Sequence, residues 1–504
     1  MQPGKHSSPK IILAMTSLLV MPGCASMHSQ LTQNDVSAFS SEISQTAAFQ
    51  AEPITGAIDV HDAIARAVKY NTDIRVKELE VTVAEADARL QNASLLPNLV
   101  ADSSYYSRDG SRLGYNALPN SLGLSNGLSL SWDILDFGLS CVRAGQSADK
   151  ALYHAEELRR TALRIAEETR LAYWRAVALE RLDRRLAAID QEVNAALKAS
   201  DLAAKDPAMD PIAALSVSRD ILTLQREINQ LRAGLAGSLE QLKQLINVPA
   251  GQPIKLKDAR EPDFKTHKLL DTSEAVTTAL ENRAEIRQLM YQMRITDDEV
   301  NAQLLQVLPG ISLQTGLSNA SLSAVSSSNW IGWGAKAAWH LMNLLRLPVS
   351  MDAIDSQKDL LRQQALAMAV RISMQVHISS AQYAIARQAL RDSERLLSVQ
   401  RQLERHESAA ADVGRASGQA LAKERIATVL ADARRGLAYA DLESAYGTYL
   451  ISLGADVLDL SQIHDASAKD LANTLRRSAR SLPEAKHTAR EPIFKPAEAG
   501  TTKL

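Results

Sequence analysis

The residue types that carry catalysis are present in this chain, but not at catalytic spacings. There is no His-Glu-x-x-His, no Gly-x-Ser-x-Gly and no glycine loop able to cradle a phosphate. Gly332-Trp333-Gly334 sits inside an alternating, strand-like stretch rather than ahead of a helix, so it is no nucleotide signature. The ten histidines are scattered without paired ligand spacing, which leaves no case for a metal. No enzymatic activity and no cofactor are expected. Arg159, Arg160, Arg184 and Arg185 read as a solvated helix face rather than a cargo site. A formal net charge of −2 gives no broad electrostatic case for nucleic acid.

The two cysteines are Cys24 and Cys141. Ahead of Cys24, Lys5 and Lys10 make a short basic region, and Ile11 to Met21 is apolar but too short to span a bilayer comfortably. Pro22-Gly23-Cys24-Ala25 follows, and the run resembles a bacterial lipoprotein signal covering residues 1–23. The resemblance implies acylation of Cys24, and Ala25 beside it favours outer-membrane sorting. An ordinary secretory signal is the alternative. In either case the mature chain leaves the cytoplasm. With Cys24 lipidated, Cys141 has no disulfide partner and reads as a packing residue.

The elements that would position any site are dominated by one helix. From Leu139 to Lys205 there is no proline, and the only glycine is Gly145 near the start. Leu158, Ala162, Ile165, Thr169, Ala172, Ala176, Leu179, Leu182, Leu186, Ile189, Val193 and Ala196 step by four and three, a coiled-coil seam. Such a helix is roughly 100 Å long.

The pattern occurs twice. Ala67-Val68-Lys69-Tyr70-Asn71-Thr72-Asp73-Ile74-Arg75 aligns with Ala279-Leu280-Glu281-Asn282-Arg283-Ala284-Glu285-Ile286-Arg287, and the register places Leu96-Pro97 on Leu308-Pro309. After a lipid-anchored segment at 24–57, the first repeat spans 58–251: a helix to residue 95, strands 98–108 and 122–135, and helices 139–205 and 213–247. A linker at 252–272 leads to the second repeat, 273–455, with a helix to 307, strands 311–318 and 330–341, and helices 349–407 and 419–454. The tail, 456–504, lacks periodicity and is expected to be poorly ordered or draped on the surface.

Two stacked helices of about 35 residues match the long one, so each repeat makes a rod wall roughly 100 Å tall. The strands have transmembrane β length, with apolar faces bearing Trp132, Trp333 and Trp339 as membrane-interface anchors. Four strands cannot close a barrel and lipid tolerates no open edge, so copies of the chain must close it. Three copies give twelve strands. The expected fold is therefore mainly α with a trimeric 12-stranded transmembrane β-barrel, four strands per chain, continued by an α-helical periplasmic tube. A small soluble sheet capping a coiled coil is the alternative.

These features resemble the TolC-like outer-membrane efflux family. The resemblance is carried by Cys24, the repeated Leu-Pro and Ser131-Trp132-Asp133-Ile134-Leu135-Asp136-Phe137-Gly138, and extends over about residues 55–455. The second copy departs from the pattern at Asn343 and Leu345, where an acid and a glycine are usual, and the second tip departs at Arg405-His406-Glu407-Ser408-Ala409. The pore-narrowing acids of the family appear as Gln419 and Ala422. The resemblance implies a homotrimeric outer-membrane channel partnered by a periplasmic adaptor, an inner-membrane transporter and outer-membrane lipid. Small-molecule efflux, type I export of a protein, and a pore-free lipid-anchored scaffold are the three functional readings. The resemblance also places the gate at the helical tips, residues 201–212 and 405–420. Asp201, Asp206, Asp210, Asp412 and Arg415 are the candidates, Asp210 matching a family acid that pairs with a base on the neighbouring tip. The same residues read equally as solvated turns, with Asp-Pro as helix stops.

Overall fold

A computed structural model describes residues 30–49, 52–54, 56–108, 121–249, 251–257, 267, 269–322, 325–455 and 466–481. The expected signal and Cys24 lie outside these residues. The chain divides into two units, 1–52 and 53–504. In the first, α1 (Gln33–Phe49) starts at a reciprocal cap. The Asp35 carboxylate accepts from the Thr32 amide at 2.9 Å and the Thr32 hydroxyl accepts from the Asp35 amide at 3.3 Å.

The second unit is built by duplication. In the first copy α2 (Val60–Tyr70, 11 residues) and α3 (Thr72–Ala93, 22 residues) lead to β1 (Asn98–Arg108) and β2 (Ser121–Asp133). Then come α4 (Ile134–Ala203, 70 residues), α5 (Pro211–Leu235) and α6 (Ser238–Leu245). The second copy has α7 (Thr272–Asn282, 11 residues), α8 (Ala284–Leu305, 22 residues), β3 (Gly310–Leu322) and β4 (Val325–Ala338). It continues into α9 (Leu341–Asp412, 72 residues) and α10 (Gly418–Ser452). A last helix, α11, covers Ala468–Ser481.

Each helix expected as a single 35-residue piece ahead of the strands is in fact two. The break falls at Asn71 in one copy and Arg283 in the other, with nearly identical extended backbone (φ −66°, ψ 131° and 132°). An apolar period continues through a one-residue break, so pattern alone does not reveal it. Asn71 caps α3 through the Asp73 amide. The 213–247 helix divides likewise, at Ala236-Gly237. The helix expected from 349 begins at Leu341 and carries Pro348 in its second turn, where the absent N–H removes one bond to the preceding turn.

Helix α4 is the spine. It packs against α2, α3, α5, α6, α8 and α10, while α9 packs on α7, α8 and α10. Its mid-section holds the largest core, where Tyr173, Trp174 and Tyr439 meet edge to face with ring centroids 5.3 and 4.8 Å apart. The Tyr173 hydroxyl shares its one proton between the Ile58 and Lys257 carbonyls, 3.2 and 3.1 Å away, tying the inter-repeat linker to the spine. Toward the tips, Leu182, Val193 and Ala196 of α4 pack with Ile221 and Ile228 of α5 and Ile426 and Leu430 of α10.

Two expectations are corrected here. The tail is not wholly irregular: Leu471, Ala472 and Leu475 of α11 are buried in the main core. Arg476 grips Asp59 and Asp62, the two acids that cap α2, at 2.8 and 2.6 Å. Its apolar residues occupy too few turns for a visible period. Cys141 is exposed rather than packed. The start of α4 meets α8 on the side of Gly138, against Leu305.

Candidate functional site

The four strands form one antiparallel sheet in sequence order, β1-β2-β3-β4, so β1 and β4 are both open edges within the chain. Cross-strand partners share a face. Trp132, Leu313 and Ala335 form one row; Leu99, Leu130, Thr315 and Trp333 form the next; Ala101, Leu128, Leu317 and Ile331 form a third. This face is apolar and solvent-exposed, with Ile331 76% and Trp333 89% accessible. A contiguous exposed patch of this kind needs a cover. The fourth row changes character. Ser103, Asn126, Asn319 and Asn329 align across all four strands, and the Ser103 hydroxyl lies 2.7 Å from Asn126 Oδ1.

The opposite face is mostly small and polar, although it includes the large apolar residues Val100 and Trp330 by register. Ser129, Ser131, Ser312, Gln314, Gly316, Gly332 and Gly334 lie on it by register, together with Asp102, Asp133 and Lys336. It suits a wet lumen.

The three tryptophans do not stand at one level. Trp333 is one row, about 7 Å, further from the helices than Trp132. Trp339 lies past the end of β4, and its indole N–H donates to the Val307 carbonyl at 2.8 Å. Beside it, Asn343 Nδ2 donates to the Gln306 carbonyl at 2.9 Å. Together they satisfy the last carbonyls of the α8 end. The amide at 343 does what a carboxylate could not, because only the amide donates.

At the tips, the chain turns through 204–210 and 413–417. Asp206 accepts from the Ala208 amide at 2.9 Å, and Asp210 accepts from the Ile212 amide at 2.9 Å with Pro211 at the start of α5. Gly414 (φ 71°) and the Arg415 amide close α9, and Ser417 caps α10. Asp201, Asp206, Asp210, Asp412 and Arg415 are all exposed, and among the described residues no ion pair joins them within one chain. Ala422, by contrast, is buried among α4, α5 and α10, so that position does not face a pore.

The charged contacts that do lock the tip region were not legible in the sequence. Lys423 of α10 meets Asp220 of α5 at 2.9 Å, and Arg425 of α10 pairs with Glu192 of α4. Gln400 of α9 donates to Glu424 of α10 at 2.6 Å. The Lys423 ammonium, aided by Arg219, holds the Asp220 carboxyl below its ordinary range. These partners are far apart in sequence and follow no local spacing rule.

One trio of possible metal donors occurs among the described residues: Glu80, His154 and Glu157. Its centre is already taken by a cation, since Lys77 Nζ lies 2.9 Å from Glu80 and 2.8 Å from Glu157. Those bonds raise the Lys77 pKa, so the ammonium stays charged and the trio is an ion-pair cluster. A second polar cluster lies in the core. His267 stacks on Tyr446 at 3.8 Å, and its Nε2 is 3.6 Å from Glu443, which also accepts from Arg170 and Tyr439. Burial lowers the His267 pKa, Glu443 opposes this, and Arg170 and Arg387 add to it.

No family model matches the sequence, and no curated protein matches it. The fold, however, is a known one: it is that of the TolC-like outer-membrane channels. The chain is similar to the outer-membrane channel OprN, with TM-score 0.63, 15% identity, and 79% of this chain and 90% of that chain covered. It is similar to the CmeC outer membrane channel of Campylobacter jejuni, with TM-score 0.60, 14% identity and coverage of 82% and 89%. It is also similar to the open state of the MtrE outer membrane channel of Neisseria gonorrhoeae, with TM-score 0.57, 18% identity and coverage of 78% and 89%.

Proposed function

We propose that this chain is the outer-membrane exit duct of a tripartite exporter. One observation carries the reading: a four-stranded sheet with an exposed apolar face and two open edges runs directly into helices of 70 and 72 residues. Lipid tolerates no open edge, so the edges are closed by further copies. Three copies give a twelve-stranded barrel over a helical tube. Exposed Val76, Leu79 and Val83 of α3, and Leu366, Val370, Met374 and Ile378 of α9, supply apolar stripes for contacts between copies.

The barrel sits in the outer membrane, anchored also by lipid on Cys24, with Trp132, Trp333 and Trp339 in contact with lipid. The tube crosses the periplasm and meets an adaptor and an inner-membrane transporter, which supplies the energy. The duct performs no chemistry on its cargo; it gives polar solutes a water-filled path. Small-molecule efflux is the favoured use, with type I export of a protein as the second. Asp210 and Arg415 close the tip by pairing between protomers, with Asp201, Asp206 and Asp412 beside them; among the described residues none of the five has an ion-pair partner inside one chain.

Native mass spectrometry of the mature protein released from detergent tests this reading. Three copies, each with one lipid-modified cysteine, is the expected mass. A monomer or dimer would contradict it.

A further inference from the structure

The polar face of the sheet carries three described charges, and they are unequally balanced. Asp133 and Lys336 flank Ser312 in one cross-strand row, about 10 Å apart, so their fields largely offset each other. Asp102 stands alone. Its row is completed by Gly127, Ser318 and Trp330, which bring no charge. Lys336 is six residues along and three strands over, about 24 Å away. That distance exceeds the ~8 Å screening length at physiological salt.

The fold makes room for this carboxylate. A Cβ at Gly127 would lie 2.5 Å from Asp102 Oδ1, so the glycine leaves the space in which the side chain lies across the wall. Among the described residues Asp102 has neither a hydrogen-bond nor an ion-pair partner, and it is exposed. A strand charge that is unpaired, uncompensated and accommodated by a neighbouring glycine has one physical effect: it biases which ions stay near it.

We infer that Asp102 is a specificity-determining residue of the lumen, favouring cationic over anionic solutes. This rests on the barrel reading above. In a trimer, three such carboxylates stand at one level. They sit in the sheet, far from the tips, so they act on cargo whether or not the tip is open.

The test does not require conduction. Ser104 lies on the same face two residues from Asp102, and Thr315 lies on the apolar face. Ser104→Cys and Thr315→Cys are made separately in a Cys141→Ser background. Purified trimers in detergent are treated with a cationic or an anionic methanethiosulfonate, and the modified peptides are followed by mass spectrometry. With Asp102 intact, Ser104→Cys reacts faster with the cationic reagent, and Asp102→Asn lowers the cation-to-anion rate ratio. The drop is about twofold at 0.15 M salt and about fivefold at 0.01 M. Asp102→Lys inverts the ratio. An unchanged ratio in Asp102→Asn overturns the inference and leaves the barrel standing. A Ser104→Cys that neither reagent modifies, or a Thr315→Cys modified equally fast, overturns the barrel itself and the inference with it.

Discussion

Asn71 and Arg283 hold the same backbone conformation at the same place in the two repeats, and each is met by a left-handed helix end. Asn71 Nδ2 donates to the Leu245 carbonyl at 3.2 Å, two residues before Asn247 (φ 53°). Gly454 (φ 63°) packs against the Asn282–Arg283 peptide. Both helix ends close with the same bonds, from the Val248 amide to the Lys243 carbonyl and from the Ala455 amide to the Leu450 carbonyl. The duplication therefore preserves a junction, not merely a set of helices. Its chemistry differs between copies: Asn71 caps with an amide, while Arg283 clasps Glu285 and Gln375.

Gly454→Ala should break the second junction. A Cβ there would lie 2.8 Å from the Asn282 carbonyl carbon, and the backbone is left-handed. A loss of ~2 kcal/mol or more is expected, read as a lower Tm of the detergent-solubilised protein. Gly234→Ala is the contrast. That glycine is inside α5 with nothing within 4 Å of its would-be Cβ, so a gain of up to ~1 kcal/mol is expected.

Arg476→Ala should release α11 from the cap of α2. Burial alone would raise the Asp59 carboxyl, but the Asp62 amide and the Arg476 guanidinium outweigh it and hold it below its ordinary value. A depressed carboxylate adds stability above its unfolded pKa, near 4, and loses it as pH falls through the lower folded value. Wild type should thus keep the 468–481 amides protected from hydrogen exchange down to about pH 4. The variant should exchange them faster above about pH 4, and the difference should shrink as pH falls below it. Equal protection in both would show that Leu471 and Leu475 alone hold the helix.

Much of this architecture was legible in the sequence. The heptad run from Leu158 to Ala196 and the paired Leu-Pro steps gave the long helices and the duplication, because helix period and proline act locally. Alternation from Leu128 to Trp132 gave the faces of β2, though Ile134, read as continuing it, opens α4 instead. The breaks at Asn71 and Arg283 were not legible, since one extended residue leaves the apolar period almost unchanged. Helix α11 was missed because its anchor is Arg476 on Asp59, a contact made only in three dimensions. The same holds for Lys423–Asp220 and Arg425–Glu192. The substitution at Asn343 looked like a lost acid; the Gln306 carbonyl explains why a donor stands there.

His267 should give the core an acid-sensitive leg. Burial, Arg170 and Arg387 disfavour its charged form, against Glu443; the Tyr446 and Tyr383 rings pack against it. Its pKa is lowered from the usual 6.5, so its contribution is full above that value and declines as pH falls below it. Wild type should lose Tm between pH 6.5 and 5, and His267→Phe, which keeps the stacking without the charge, should lose less. Parallel curves would remove His267 from the account.

Trp132→Asp together with Trp339→Asp places two charges at the helix end of the apolar face. A depth-dependent penalty of up to ~2–4 kcal/mol per charge is expected, multiplied over the copies in a barrel. The double variant should fail to insert and assemble as a detergent-stable trimer, even though the lipid on Cys24 still holds it at the outer membrane. Normal trimer assembly would reassign this face to protein contact.

Single-channel conductance of the purified mature protein in a planar bilayer tests the central claim most directly. The account predicts discrete openings, small at rest because the tips are shut. On the proposed pairing of Arg415 with Asp210 of a neighbouring protomer, Arg415→Glu should enlarge them. Silence from the wild type and from Arg415→Glu alike would contradict the channel and leave a lipid-anchored helical scaffold.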